Sequence, residues 1–441
     1  MSSEVMTVGT TTGRVRFTIV AMLFCITVVN YADRATLSIA GPSLARDLGI
    51  SAIEMGFIFS AFGWSYVIGQ IPGGGLLDRF GSKMVYFWSI LLWSVFTFLQ
   101  GGVSFTSTTV AISVLFGLRL MVGFAEAPSF PANSRIVAAW FPDNERGTAA
   151  AIFNSAQYFA TVLFAPLMGW IAHAFGWHYI FFVMGGLGVV VAFIALKTIY
   201  APRSHPRLSA LEFNYIQRGG ALVEMDGTTA APVRSRAETW ASIQSLLRNR
   251  MMLGIFLGQY CISTLTYFFL TWFPVYLVQQ RGMSILQAGF VASIPAICGF
   301  AGGVLGGVFS DALLRRGFTL TVARKTPIVI GLLLSSSMVL CNYVDVQWLI
   351  VAIMALAFFG KGIGALGWAV MSDTAPAQTA GLSAGLFNMF GNIAAISTPI
   401  VIGYIIGLTG SFNGALVFVG ANALVAVFSY LVIVGEIKRL Q

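Results

Sequence analysis

Twelve long apolar runs, separated mostly by short polar turns, leave this chain little choice of fold. They fall near residues 17–40, 55–77, 84–104, 108–132, 147–170 and 178–200, then near 252–278, 286–309, 327–344, 347–370, 381–407 and 413–435. A helix crossing the hydrocarbon core of a bilayer needs about 20 mostly apolar residues. Within lipid, helices satisfy their own backbone polar groups, so runs of this length read as spans. Charged residues are 9% of the 441, where soluble domains carry about 25%. The expected fold is an all-α integral membrane protein, about twelve transmembrane helices in two pseudo-symmetric six-helix halves. No large soluble domain fits into the remainder. The first run lacks a small-residue cleavage site, which reads as a retained span, not a signal peptide.

Charge placement gives an orientation. All but five of the 25 Lys and Arg fall at helix ends on the side of both termini; the exceptions are Arg34, Arg46, Arg119, Arg281 and Lys361. By the positive-inside rule both termini are expected in the cytoplasm. The net charge of +9 then reflects topology and contact with anionic membrane lipid, with no nucleic acid implied. Four cysteines show no paired spacing, and three histidines form no cluster, so no metal is expected. With no nucleotide-binding loop or catalytic dyad, neither an enzyme nor an ATP-driven pump is expected, and no cofactor beyond protons.

The expected units are residues 1–200, a cytoplasmic connector at 201–250, and residues 251–441. In the connector, Trp240, Ile243, Leu246 and Leu247 recur at helical spacing beside Arg248 and Arg250, as in an interfacial amphipathic helix. A repeat links the two halves. Gly74, Asp78, Arg79, Gly81 and Lys83 follow the second run, and Asp311 with Arg315, Arg316, Arg324 and Lys325 follows the eighth. Together with Arg146, these acids and bases fit cytoplasmic gate pairs that break when the halves separate.

Five charges lie inside apolar runs: Asp33, Arg34, Arg119, Glu126 and Lys361. Each costs about 2.5–3.5 kcal/mol at a bilayer centre, so such residues face a cavity, a partner or a charged cargo. Three cations with two acids suit an anion pathway in which the carboxyls carry protons. Asp33 and Arg34 are adjacent and point about 100° apart on a helix, so they serve different partners. Arg119 and Glu126 are seven apart and share a face, which would let Arg119 alternate between Glu126 and the anion. Arg34 and Lys361, one in each half, suit the two ends of a dicarboxylate, since a guanidinium grips carboxylate in bidentate fashion. Tyr31, Asn154, Gln157, Gln259, Asn388 and Trp368 add polar groups and an apolar platform for a polyol.

The repeated halves, and the string Gly74-x-Leu76-x-Asp78-Arg79-x-Gly81-x-Lys83, resemble the major facilitator superfamily. Several further strings narrow the likeness: Asn30-Tyr31-Ala32-Asp33-Arg34, Glu126-Ala127-Pro128-Ser129-Phe130-Pro131, Trp140-Phe141-Pro142, Phe269-Leu270-Thr271-Trp272-Phe273-Pro274 and Phe358-Phe359-Gly360-Lys361-Gly362. Across nearly the whole chain they resemble the anion:cation symporter family, above all its bacterial permeases for D-glucarate and galactarate. The resemblance implies proton-coupled import of a sugar diacid; the short loops and lack of a targeting segment fit a bacterial inner membrane, and a monomer is expected. The resemblance assigns Arg34, Tyr31, Gln259 and Asn388 to substrate, and Asp33 and Glu126 to protonation. Two alternatives stay open: symport of a monoacid such as galactonate or a hexuronate, and a sugar-acid sensor that does not transport.

Overall fold

The computed structural model describes residues 13–105, 108–143, 145–224, 236–376 and 379–440. Among them, twelve helices are long and apolar enough to cross a membrane. The first three spans are α1 (Val15–Leu48), α2 (Ala52–Phe80) and α3 (Ser82–Gln100). The fourth is α4 (Thr108–Glu126) continued by α5 (Ser129–Trp140); α6 (Arg146–Phe175) and α7 (Trp177–Thr198) complete the first half. The second half starts with α10 (Arg250–Tyr267) and α11 (Phe273–Gln279), joined by a π-turn at Phe268–Trp272. Then come α12 (Ile285–Arg315), α13 (Leu320–Ser336), α14 (Gln347–Ile363) with α15 (Gly367–Thr374), α16 (Ala380–Thr409) and α17 (Asn413–Phe428).

Helices end where the sequence supplies a stop. Gly49 closes α1 in the left-handed region at φ 64°, which a residue with a Cβ rarely adopts. Two residues later Ser51 and Glu54 form a reciprocal capping box that starts α2. Ser284 and Gln287 do the same for α12. Interruptions are local too. Pro128 separates α4 from α5, and Gly364–Leu366 separates α14 from α15.

The halves meet through glycine. Near the face opposite the termini, a methyl on Gly56 of α2 would lie 2.6 Å from the Pro399 carbonyl oxygen of α16. One on Gly403 would lie 2.7 Å from the Ala52 carbonyl. Gly169 of α6 and Gly289 of α12 approach each other in the same way. At the other ends of these helices, Gly74, Gly75, Gly147 and Gly307 have open space around them. The close glycine contacts between the two halves therefore lie toward the face away from the termini.

The connector is more ordered than a simple linker. Its first part carries a short helix, α8 (Ala210–Arg218), which the sequence reading did not anticipate. Glu212 of α8 is fully buried and accepts hydrogen bonds from the backbone N–H of Val15 and Arg16, each at 3.1 Å, at the start of α1. Those N–H groups are ones a helix cannot satisfy internally. Leu222 N–H donates to the Ala138 carbonyl of α5, and Arg146 donates to the Gly220 carbonyl. This stretch is thus fastened across the first half. The second part forms α9 (Arg236–Arg248), with Leu246 buried and Trp240 exposed.

Candidate functional site

Arg34 lies in the middle of α1 with only 6% of its surface exposed. Its Nε donates to Glu126 Oε2 at 2.8 Å, joining α1 to the last residue of α4. Aromatic rings surround the guanidinium: its carbon is 4.9 Å from the Tyr31 centroid, 4.6 Å from Phe62 and 4.9 Å from Tyr66. Rings attract a cation through their quadrupole and offer it no counter-charge. One guanidinium nitrogen, Nη2, and one carboxylate oxygen, Glu126 Oε1, keep no protein partner. The pair is a charge-assisted hydrogen bond with capacity left on both sides.

Beside it sits a second, less satisfied group. Asp33 is fully buried, with neither carboxylate oxygen hydrogen-bonded to protein. Arg119 of α4 is also buried and leaves Nε and Nη1 unpaired. Asn30 of α1 and Trp93 of α3 add orphaned polar atoms to the same region. Buried polar atoms are nearly always bonded to protein or ordered water. Among the described residues, these groups leave hydrogen-bonding capacity in one region of α1, α3 and α4 that ordered water or a ligand can take up.

The third charge stands apart from the acids. Lys361, near the end of α14, is 5% exposed and, among the described residues, has no ion pair or hydrogen bond. Its Nζ lies 5.1 Å from the Phe358 centroid and 5.6 Å from that of Tyr158, which comes from α6 in the other half. It lines a cavity between the halves with about 660 Å³ of empty space, part of it open to the outside. Tyr31, Gln157, Tyr158, Thr161 and Phe358 share that lining.

The other proposed contacts divide into two groups. Gln259 approaches Ser263 at 3.5 Å, while Asn388 donates to Gln70 Oε1 of α2 at 3.3 Å, a bond that crosses between the halves. Asn392 donates to Asn388 and accepts from Tyr267. These make a polar seam between α10, α16 and α2. Of the expected site residues, Tyr31, Gln157 and Lys361 line the cavity, whereas Arg34, Arg119, Asn154, Gln259, Trp368 and Asn388 lie off its wall. Asn154 is exposed and folds back onto the Ala150 carbonyl. Trp368 is 51% exposed and packs edge-on against Phe387. Its spacing of seven from Lys361 does not put the two on one face, because the helix breaks at Gly364–Leu366 between them.

At the termini face, Asp78 pairs with Arg135 of its own half, and Arg146 with Asp143. Arg324 sits 2.8 Å from Asp373 and 3.7 Å from Asp311, again within one half. Lys83 lies over the Tyr200 ring at 3.2 Å, and Arg79 over Phe80. Gly81 ends α2 at φ 75°. Among the described residues no ion pair joins the two halves here.

The sequence model of the Major Facilitator Superfamily matches residues 23–324. The chain belongs to this superfamily. It is a multi-pass membrane transporter and not an enzyme. It is 65% identical, over 97% of its length and 95% of the relative's, to the probable galactarate/D-glucarate transporter GudP of Escherichia coli K12. It is 59% identical, over 97% and 96% of the two chains, to the probable galactarate/D-glucarate transporter GarP of the same strain. The D-galactonate transporter of Escherichia coli O6:H1 is 40% identical, with 97% of each chain covered. Among solved structures, a bacterial homolog of the human lysosomal transporter Spinster, inward-facing and occupied, superposes with a TM-score of 0.73. Identity there is 15%, over 96% of this chain and 97% of that one, so the likeness is one of fold.

Sequence reasoning missed several residues that the structure places around these charges. Phe62 and Tyr66 are four apart on α2 and so share a face, but nothing in the sequence aims that face at Arg34. Gln70 is one further turn along. Tyr158 is hidden among other aromatics, although it directly follows Gln157, which had been noted.

Proposed function

We propose that this chain imports a sugar diacid of the galactarate or D-glucarate kind with protons, by alternating access across the bacterial inner membrane. The observation that carries the reading is Lys361, a buried cation with no acid partner among the described residues, lining a cavity between the halves. A cation so placed needs an anion to offset its burial. Arg34, from the opposite half, supplies a second cation for the other end of a six-carbon diacid. The names of the relatives at 65% and 59% identity point to the same substrate class.

The Arg34–Glu126 bond supports the proton-coupled reading. Protonating Glu126 removes the negative partner and leaves a buried guanidinium that needs another carboxylate. Loading a proton therefore favours loading the anion, and loss of the proton favours its release. Asp33, with both oxygens free of protein hydrogen bonds, offers a second protonation site beside Arg119. A dianion carried with two protons would be electroneutral. With both termini in the cytoplasm, the glycine-packed face of the two halves is the outer one.

Uptake of labelled D-glucarate into proteoliposomes with an acidic exterior tests this. Accumulation above equilibrium that an uncoupler abolishes and excess galactarate blocks is expected. Accumulation indifferent to the uncoupler would overturn proton coupling. Binding without any uptake would favour a sensor.

A further inference from the structure

We propose that Tyr158 is a specificity-determining residue: its hydroxyl, together with the Lys361 ammonium, receives the distal carboxylate of the diacid. The inference rests on the sugar-diacid reading and adds a residue from the opposite half to the subsite at Lys361.

Three observations carry it. Tyr158 lies on α6, yet its ring is among second-half groups: 6.0 Å from the Phe300 centroid, 6.4 Å from Phe358, and 5.6 Å from Lys361 Nζ. This approach depends on Gly299 of α12, where a methyl would lie 2.6 Å from Phe358 and 3.2 Å from Tyr158. Second, Tyr158 is half-buried and lines the cavity, and among the described residues its hydroxyl has no hydrogen-bond partner. The phenol group is a donor as well as an acceptor. Third, the ring faces a lysine with no counter-ion, so ring and ammonium together present a neutral donor and a cation to one space. A carboxylate accepts from both kinds of donor, and hydrogen bonds to an ionised group are the stronger ones. An uncharged terminal hydroxymethyl group, as in a monoacid, gains much less from them.

The arrangement also ties recognition to movement. Lys361 belongs to one half and Tyr158 to the other, so a carboxylate bridging them draws the halves together at the cavity. A monoacid held by Arg34 alone makes no such bridge.

The test is a double-mutant cycle on galactarate binding by the purified full-length transporter, using isothermal titration calorimetry. Tyr158→Phe keeps the ring over Lys361 and removes only the hydroxyl, and is expected to weaken galactarate about tenfold. Lys361→Met is expected to weaken it more. The double variant should bind no more weakly than Lys361→Met alone, because the hydroxyl acts on a carboxylate that the lysine holds. Gel-filtration profiles matching the parent show that each variant is folded. Unchanged affinity in Tyr158→Phe, or losses that add in the double variant, would overturn the proposal. Absence of galactarate binding by the parent protein would instead remove the substrate reading itself.

Discussion

Arg34 and Glu126, 92 residues apart in sequence, are bonded at 2.8 Å in a region closed to solvent, while Asp33, next in sequence to Arg34, is bonded to neither. Adjacent residues on a helix diverge, and here the divergence separates two acids by environment. Glu126 is hydrogen-bonded to a guanidinium and, among the described residues, Asp33 is not.

That difference makes Glu126→Gln informative. The amide keeps the shape of the carboxyl but cannot change charge, so Arg34 stays available to the substrate at every pH. Gradient-driven accumulation of D-glucarate is expected to fall to the equilibrium level, while exchange of external for internal substrate continues at a substantial fraction of the parent rate. Comparing the two assays on one proteoliposome preparation checks it. Full accumulation by the variant would show that Glu126 carries no coupling proton.

Lys361→Asn removes the unpaired cation and leaves a polar side chain of smaller volume. Hydrogen bonds to charged groups contribute about 1.5–3 kcal/mol, which corresponds to roughly 10- to 100-fold in affinity. A loss of that size is expected for galactarate and D-glucarate, and less than about threefold for D-galactonate. Competition against a labelled diacid and a labelled monoacid measures both. Equal losses would refute a clamp that holds two carboxylates.

How far this site could be read from sequence depended on the range of each interaction. The spans were legible because length and apolarity are local properties. Even so, α1 begins and ends beyond the apolar run at 17–40, since Val15 and Arg16, and Gly41 to Leu48, continue the helix past it. The five intramembrane charges were legible because each is costly where it stands. Their partners were not. Arg119 and Glu126 share a face by spacing, yet the recorded bond of Glu126 goes to Arg34 on another helix. Asp78 likewise finds Arg135, a residue the loop motif does not contain. The aromatic rings around Arg34 and Lys361 were invisible for a further reason. In a chain with 37 phenylalanines, only tertiary packing distinguishes a ring facing a cation from one facing lipid.

The glycine contacts between α2 and α16 make a conformational prediction. Gly56→Val places a branched side chain against the Pro399 carbonyl and Gly403, where even a methyl would stand at 2.6 Å. Backbone cannot yield there without separating the helices, so the face away from the termini should no longer close. Transport is expected to drop below about a tenth of the parent rate, with the folded protein still recovered. An Ile39→Cys reporter in the cavity should then react with an impermeant maleimide added from that face. Protection equal to that in the Gly56 parent would show that this seam does not control access.

The connector yields the last prediction, which concerns pH. Glu145, outside the membrane, accepts from Tyr215 Oη at 2.7 Å and from Arg16 Nε at 3.0 Å. Partial burial alone would raise its pKa, but the Tyr215 and Arg16 hydrogen bonds outweigh that and hold it below its ordinary value of 4.5. A carboxyl whose folded pKa is depressed stabilises the fastened connector above its unfolded pKa. That contribution is lost as pH falls through the lower, folded value. The fastening at Glu145 is therefore complete at neutral pH and lost only below about pH 4.5. A spin label at Leu211, exposed on α8, reports it through its mobility. The label should be immobilised at pH 7 and become mobile on acidification, and Glu145→Gln should flatten that response and raise mobility already at pH 7. Because Glu212 holds the start of α1 from full burial, Glu212→Ala should mobilise the label more than Glu145→Gln at neutral pH. Mobility independent of pH in the parent protein would remove Glu145 from the fastening and leave Glu212 to hold α8 alone.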